Sequence, residues 1–376
     1  MPILGTKSVH HIMHILNALT PQPYRMMIAD GITLSTDFAE HVSQQGNRAV
    51  IISDSQVAPL YADAIQAHLE TTIPTLCFTI PTGEGYKTRA SKAAIEDFLQ
   101  THHADKNTVL IALGGGVITD ITGFTAATYL RGIAVFYVPT TMLAMVDAAI
   151  GGKTGINTPY GKNQLGLIHS PTAVYIDPRF LLTQGIAQWN DGWSETLKHA
   201  LLTDKNLFSQ WAYQAQQTPD IDAITPIITT SCNIKNTIVE QDPYEQGYRA
   251  CLNIGHTIGH ALESTYNYTI SHGQAVAIGI VSEAHIANKR GILPADAYAK
   301  ITEAFAALAG TLPSPLPIKD FLQHLKHDKK NRGQQVHMCL LSDIASVYQG
   351  KSTFTTPVEA SYLTEAATWI NTTYIA

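Results

Sequence analysis

Short apolar runs recur between residues 23 and 185, each bounded by polar or glycine-containing stretches. Residues 25–28, 49–53, 75–80, 108–113, 134–139 and 173–176 are rich in β-branched and aromatic side chains and read as buried strands. Between them, residues 58–69 and 90–102 place apolar side chains at helical intervals. Strands alternating with helices predict a mostly parallel, Rossmann-like sheet that meets its ligands at the carboxyl ends of the strands. After Pro178 the strand pattern nearly vanishes, and residues 190–310 read as successive helices broken at Asp242-Pro243 and Gly291-Ile292-Leu293-Pro294. Residues 336–341 form an apolar run that is an isolated strand or buried coil. Upstream, Ile12, Ile15, Leu16 and Leu19 suit a short amphipathic helix. The expected organisation is an N-terminal extension (1–22), an α/β domain (23–185) and a mainly α-helical domain (186–376). A cleft between two such domains is a common place for cofactor and substrate to meet.

Composition narrows the function classes. The 376 residues are 45% hydrophobic and 14% charged, an ordinary globular balance. A net charge of −6 argues against nucleic-acid or anionic-membrane partners, though a local cationic cluster can still hold a phosphorylated substrate. The four cysteines contain no CxxC pair, which points to a reducing compartment and away from a thiolate zinc site. No membrane-spanning run and no secretory signal pattern is present, so a cytoplasmic location is expected.

Three segments bear chemistry. Residues 109–113 empty into Gly114-Gly115-Gly116 and a helical stretch, a strand–glycine–helix order in which backbone N–H groups approach a pyrophosphate. The spaced third glycine of the usual dinucleotide fingerprint is missing, and a tight turn is the competing explanation. Thr140 and Thr141 after the next strand serve either a nucleotide ribose or a helix cap, and Glu84 with Lys87 form either a ribose contact or solvated surface. Second, Asp147, Lys153, Lys162 and Asn163 fall within seventeen residues flanked by glycines, as an anion pocket would need. Glu195 and Lys198 lie one helical turn apart amid apolar neighbours, either a buried pair or a surface ion pair. Third, Lys235 and Arg249 lead into Asn253-Ile254-Gly255-His256-Thr257-Ile258-Gly259-His260-Ala261-Leu262-Glu263. On one helix Asn253, His256 and His260 would share a face, with Gly255 and Gly259 leaving room for a ligand or another backbone. Catalytic zinc commonly takes two histidines and a carboxylate, which His256, His272 and Glu195 would supply.

The segments 114–132, 139–157, 160–166, 194–202, 253–263 and 272–273 together resemble the 3-dehydroquinate synthase family within the sugar phosphate cyclases. The resemblance spans roughly residues 23 to 345 and implies a dehydroquinate synthase-like fold: an α/β NAD-binding domain, then a helical metal- and substrate-binding domain. It implies zinc ligands at Glu195, His256 and His272, with cobalt as an alternative metal. It implies catalytic or substrate roles for Arg131, Asp147, Lys153, Asn163, Glu195, Lys198, Lys235, Arg249, Asn253 and His260, and for Lys329 or Lys330. NAD would be held by Asp54, Glu84, Lys87, Gly115, Gly116, Val117, Asp120, Thr140, Thr141, Lys153, Lys162 and Thr183. The implied reaction converts 3-deoxy-D-arabino-heptulosonate 7-phosphate to 3-dehydroquinate and phosphate in the shikimate pathway, and the implied assembly is a homodimer. Three residues depart from the family pattern: Gln56, Thr158 and Gln274, the last replacing a carboxylate beside a proposed metal ligand. The alternatives are a cyclase for another sugar phosphate, of the 2-deoxy-scyllo-inosose or epi-valiolone type, a metal-dependent polyol or glycerol-phosphate dehydrogenase, and a non-catalytic binding protein.

Overall fold

The computed structural model describes residues 13–217, 220–326, 335–350 and 353–375. The strands are β1 (His14–Ala18), β2 (Tyr24–Ile28), β3 (Arg48–Asp54), β4 (Thr75–Ile80), β5 (Thr108–Gly114), β6 (Val135–Pro139), β7 (Lys153–Thr158), β8 (Gly161–Ile168) and β9 (Ala173–Ile176). The helices are α1 (Thr36–Ser43), α2 (Ala58–Leu69), α3 (Arg89–Thr101), α4 (Gly116–Thr128), α5 (Ile186–Thr203), α6 (Lys205–Gln214), α7 (Ile221–Gln241), α8 (His256–Thr265), α9 (His272–Lys289), α10 (Ala295–Ala309), α11 (Ile318–Lys326) and α12 (Ala360–Thr373). The chain divides into two compact units, residues 1–184 with 220–243, and residues 185–219 with 244–376. Asp220–Pro243, which contains α7, groups with the first unit, so a single boundary near residue 186 does not describe the chain.

The first unit is built on a seven-stranded sheet of order β1-β2-β9-β6-β5-β3-β4. Every neighbouring pair is parallel except β1–β2. The expected α/β sheet is therefore present. The interior strand β5 is buried along its whole length, as a strand covered on both faces requires. The chain runs outward from β3 to β4 and then returns to the other side of β3 as β5. A crevice opens at such a reversal, at the carboxyl ends of the strands.

The N-terminal expectation needs correcting. Ile15 and Leu16 lie not on a helix but in β1, paired antiparallel with Met27 and Met26. A helix of that length is marginal in water, whereas the free edge of β2 offers a row of backbone partners. The outer edge of β1 is in turn covered by α7. Asn236 Nδ2 donates to the Asn17 carbonyl at 3.0 Å, and Glu240 accepts from Leu19 N–H at 2.7 Å. The glycine-flanked segment 153–168 is also more regular than expected, forming the antiparallel hairpin β7–β8.

The second unit packs α5, α8, α10 and α12 against α9. From Gly273 to Ala287 the α9 side chains are apolar on nearly every face, and such a helix must be buried all round. The run at 336–341 resolves into two short strands, Val336–Met338 paired with Thr356–Val358 and Leu341–Asp343 paired with Ser346–Val347.

Candidate metal centre and dinucleotide site

Within the second unit, three donor atoms from Glu195, His256 and His272 lie within 4.8 Å of one another. Glu195 sits in α5 among the buried Trp193, Leu197 and Leu201 and is itself fully buried. Its Oε1 is 3.4 Å from His256 Nε2 and 3.6 Å from His272 Nε2. Its Oε2 pairs with Lys198 Nζ, which also donates to the Leu252 carbonyl at 2.8 Å. The opposite ring nitrogens are held from behind: His256 Nδ1 is 3.1 Å from the Ile254 carbonyl, and His272 Nδ1 is 3.2 Å from Glu263 Oε1. An imidazole whose Nδ1–H is taken by an oxygen presents Nε2 as its electron pair, the usual arrangement behind a metal-bound histidine. Burial acts to lower the His272 pKa, but hydrogen bonds and charge from Glu195 and Glu263 outweigh it and hold it up to about 10. The pocket thus has a strong preference for positive charge. Two imidazoles and one carboxylate form a donor set that suits zinc or cobalt.

The histidine helix starts later than its sequence pattern suggests. Tyr248–Asn253 is a 3-10 turn, and Gly255 caps α8 with a left-handed φ of 78°. Asn253 therefore does not share a helical face with His256; its Nδ2 donates to Glu245. His256 and His260 do share one, their ring centroids 5.3 Å apart, and His260 lies 6.3 Å from His272. The two glycines make room for another backbone and not for a ligand. A Cβ on Gly255 would meet Ile280 and the Val276 carbonyl, and one on Gly259 would meet the Ala275 carbonyl at 3.1 Å. Their partner is α9, and this close crossing brings the two histidine-bearing helices together.

Several supporting groups were not singled out from the sequence. Glu263 was quoted as part of the histidine motif, yet its role becomes visible only when α9 brings His272 beside it. Glu283, buried in α9, accepts from Gly255 N–H at 2.7 Å and so fixes the residue before His256. Asp191 lies one turn before Glu195 and accepts from Gly273 N–H at 2.9 Å. The spacing of Asp191 and Glu195 was the available signal, since residues four apart share a helical face. Gln274, the departure beside His272, donates to the Ala309 and Thr311 carbonyls at 3.0 and 2.9 Å. Its side chain braces α9 against the end of α10 and takes no part in the histidine cluster.

In the first unit the proposed dinucleotide residues gather at the carboxyl ends of the parallel strands. Asp54 ends β3, its Oδ1 accepting from Gln56 and Val57 N–H at 2.9 and 3.1 Å. That contact uses the Gln56 backbone, so it is independent of the side-chain departure there. Gly114 ends β5 and pairs in register with Pro139 at the end of β6. Gly115 then caps α4 with no side-chain acceptor, its own carbonyl taking the Ile118 and Thr119 N–H groups, so that no side chain covers the N–H groups of Gly116 and Val117. A Cβ on Gly114 would lie 2.6 Å from Ile118, so α4 can start this close only over glycine. Thr140 is buried, and its Oγ1 has no hydrogen-bond partner among the described residues. A buried hydroxyl of this kind, together with a helix N-terminus that no side chain caps, fits a bound dinucleotide. Thr141 Oγ1 instead accepts from Ala144 N–H at 3.2 Å, a capping role. Thr183 Oγ1 bonds Tyr61 and the Phe180 carbonyl.

The Glu84–Lys87 turn and the β7–β8 hairpin are laced together. Lys87 is buried, pairs with Asp120 in α4 and donates to Asn163 Oδ1 at 2.6 Å. Burial pushes the Asp120 carboxyl up, and the charge of Lys87 opposes this. Asn157, a residue the motif reading passed over, donates to Glu84 Oε1 at 2.7 Å and accepts from Asn163 N–H at 3.0 Å. Asn163 adopts a left-handed φ of 52° to reach both. It thereby touches Lys87, one of the proposed dinucleotide residues, as well as being a proposed substrate contact. Thr158, another departure, bonds within its own hairpin, its Oγ1 donating to Gln164 Oε1 at 3.0 Å and accepting from Tyr160 N–H at 3.1 Å.

The remaining candidates are spread more widely. Asp147 and Lys235 form a pair at 2.7 Å, and Lys235 Nζ also donates to the Asp147 carbonyl at 2.6 Å. Lys153 opens β7 as an exposed cation, and Lys162 lies in β8, the strand paired with it. Arg249 is buried in the second unit, in the turn before Asn253. Arg131 lies beyond the far end of α4, about 20 Å along that helix from Gly115. Lys329 and Lys330 lie outside the described residues.

Two family descriptions match the sequence: 3-dehydroquinate synthase N-terminal over residues 77–191 and 3-dehydroquinate synthase C-terminal over residues 192–331. The chain is 39% identical over 333 residues to the 3-dehydroquinate synthase of Rippkaea orientalis, covering 86% of this chain and 91% of that one. It is 40% identical over 298 residues to the enzyme of Pseudoalteromonas translucida, covering 78% and 83%. Among solved structures, a 2-deoxy-scyllo-inosose synthase complexed with carbaglucose-6-phosphate, NAD+ and Co2+ has the same fold at a TM-score of 0.85 and 24% identity, covering 95% of this chain and 99% of that one. The 2-epi-5-epi-valiolone synthase ValA of Streptomyces hygroscopicus, with NAD+ and Zn2+ bound, matches at a TM-score of 0.82 and 25% identity, covering 94% and 98%.

Proposed function

The chain belongs to the 3-dehydroquinate synthase family, and on that premise we propose how its residues carry out the family reaction. It is an enzyme that converts 3-deoxy-D-arabino-heptulosonate 7-phosphate to 3-dehydroquinate and phosphate. What supports this reading is the identity near 40% with 3-dehydroquinate synthases across most of the chain, against 24–25% for cyclases acting on other sugars. Bound NAD would supply a hydride acceptor that is regenerated with no net oxidation, and a zinc or cobalt ion held by Glu195, His256 and His272 would supply a Lewis acid for the substrate hydroxyl groups.

The chain's own residues bind, orient and charge-balance around that chemistry. Gly115, Gly116 and Val117 receive the pyrophosphate at the positive end of α4. Asp54 and Glu84 accept from ribose hydroxyls, and Thr140 supplies a buried hydroxyl to the nicotinamide side. Lys87 and Asp120 hold the Glu84 turn in place, with Thr141, Lys162 and Thr183 completing the cofactor group. Glu195, His256 and His272 hold the metal. His260 is the proton-moving or phosphate-facing group of the histidine helix. Lys198, Arg249 and Asn253 in the second unit, and Asp147, Lys153, Asn163 and Lys235 in the first, are the substrate contacts. Cations beside a departing phosphate stabilise the charge that develops on it.

The proposed assembly is a homodimer in which Arg131 serves the neighbouring subunit, a reading that suits its distance along α4 from its own glycine loop. No helix among the described residues is long and apolar enough to cross a membrane, and the proposed location is the cytoplasm.

The test is incubation with the heptulosonate phosphate, Zn2+ and substoichiometric NAD+. Phosphate and 3-dehydroquinate should appear in equal amounts over many turnovers per NAD+. Turnover only with glucose 6-phosphate or sedoheptulose 7-phosphate would assign the chain to another cyclase reaction. Stoichiometric NADH accumulation would make it a dehydrogenase.

A further inference from the structure

His272 is the first residue of α9, and the first turn of a helix is normally its most easily frayed part. In this chain that turn is gripped by α5. Asp191 and Glu195 are four residues apart on α5 and between them address Ser271, the residue that caps α9, and its first two residues, His272 and Gly273. Asp191 Oδ1 accepts from Ser271 Oγ–H at 2.5 Å and from Gly273 N–H at 2.9 Å, one residue to either side of His272. Glu195 Oε1 meets the His272 ring itself at 3.6 Å. The contact is close enough that a Cβ on Gly273 would lie 2.2 Å from Asp191 Cα.

Within the chain the helix is capped by Ser271, its Oγ accepting from Gln274 N–H at 3.3 Å. Asp191 takes the Gly273 N–H of the same turn from a neighbouring helix, so its carboxylate ties α5 to the start of α9 while completing that cap. The backbone around His272 is thereby fixed to the helix that carries its carboxylate partner, while Glu263 fixes the ring from behind.

We infer that Asp191 is a positioning residue for the metal centre, setting the distance between His272 and Glu195 through its bonds to Ser271 and Gly273. The inference rests on reading Glu195, His256 and His272 as the metal ligands. Groups that orient first ligands typically change metal affinity about 10–100-fold when removed.

The experiment measures zinc affinity of the full chain by competition with a chromophoric chelator, with NAD+ affinity as the reference for the first unit. Asp191→Ala should weaken zinc binding tenfold or more and leave NAD+ affinity unchanged. Asp191→Asn keeps an oxygen acceptor in the same place and should recover most of that loss. Zinc affinity in Asp191→Ala equal to wild type, or Asp191→Asn as weak as Asp191→Ala, would overturn the assignment. If Asp191→Ala does not fold, Ser271→Ala deletes one of the two donors: weaker zinc binding supports the proposal, and unchanged binding overturns it. Failure of the wild-type chain to bind zinc would instead refute the ligand reading beneath it.

Discussion

Substituting alanine for Gly279 tests whether the metal centre depends on the close crossing of α8 and α9. A Cβ at that position would lie 1.9 Å from the Gly255 carbonyl oxygen, 2.8 Å from its carbon and 3.0 Å from Gly259 N. Ordinary contact begins near 3.4 Å, so the start of α8 must retreat by about 1.5 Å, the difference between 3.4 and 1.9 Å. All three obstructing atoms are backbone, and none can swing aside. In an unobstructed helix, alanine would stabilise by about 1 kcal/mol over glycine. Overpacking a filled interior costs about 1–3 kcal/mol, so after the helix gain a net loss of up to about 2 kcal/mol is expected. The effect on metal should be larger, because Gly255 immediately precedes His256 and a zinc–nitrogen bond tolerates only a few tenths of an ångström. Urea denaturation and chelator competition on Gly279→Ala should show a lower midpoint and a zinc affinity reduced tenfold or more. Gly259→Ala, whose Cβ would sit at 3.1 Å from the Ala275 carbonyl, should show a weaker version of both effects. If Gly279→Ala is as stable as wild type and binds zinc equally well, the crossing does not set the ligand geometry.

His256→Ala should abolish zinc binding, whereas Lys153→Ala should retain zinc and lose turnover; equal metal content in both variants would refute the division of roles. Gln274→Glu should not strengthen metal binding. It would turn a carboxylate toward the Ala309 and Thr311 carbonyls and lower stability by about 1–3 kcal/mol, measurable as a drop in Tm. His285, stacked on Trp369 at 4.6 Å, has its pKa pulled below the ordinary 6.5, first by burial and then by the charge of Lys289. The fold favours its neutral form, so its contribution is present above pH 6.5 and is lost as pH falls through the lowered value. His285→Phe, which keeps a ring on Trp369, should lessen the fall in Tm on acidification, and an identical pH profile would exclude His285 as its source.

The strand pattern and the family motifs were legible in the chain itself. Six apolar runs between residues 25 and 176 each became a strand of the main sheet, and the interior ones β3, β5, β6 and β9 are apolar along most of their length because they are buried on both faces. Donor chemistry was legible for the same reason: an imidazole or carboxylate at a motif position is a property of the residue. Partners distant in sequence were not legible. The pattern at Ile15 and Leu16 fits helix or strand alike, and only the free edge of β2 decided between them. Glycines 255 and 259 signalled close approach, but not that the neighbour was α9.

By itself, then, the sequence determined the succession of elements, the reactive side chains and the family to which they belong. Tertiary structure alone decided which nitrogen each histidine presents. It brought Glu263, Glu283 and Asp191 behind the metal ligands and turned Gln274 away from them. It also placed Asn163 on Lys87. The reason is physical: hydrogen bonds and steric contacts act over a few ångströms, and the groups that make them here stand 9 to 82 positions apart in the chain.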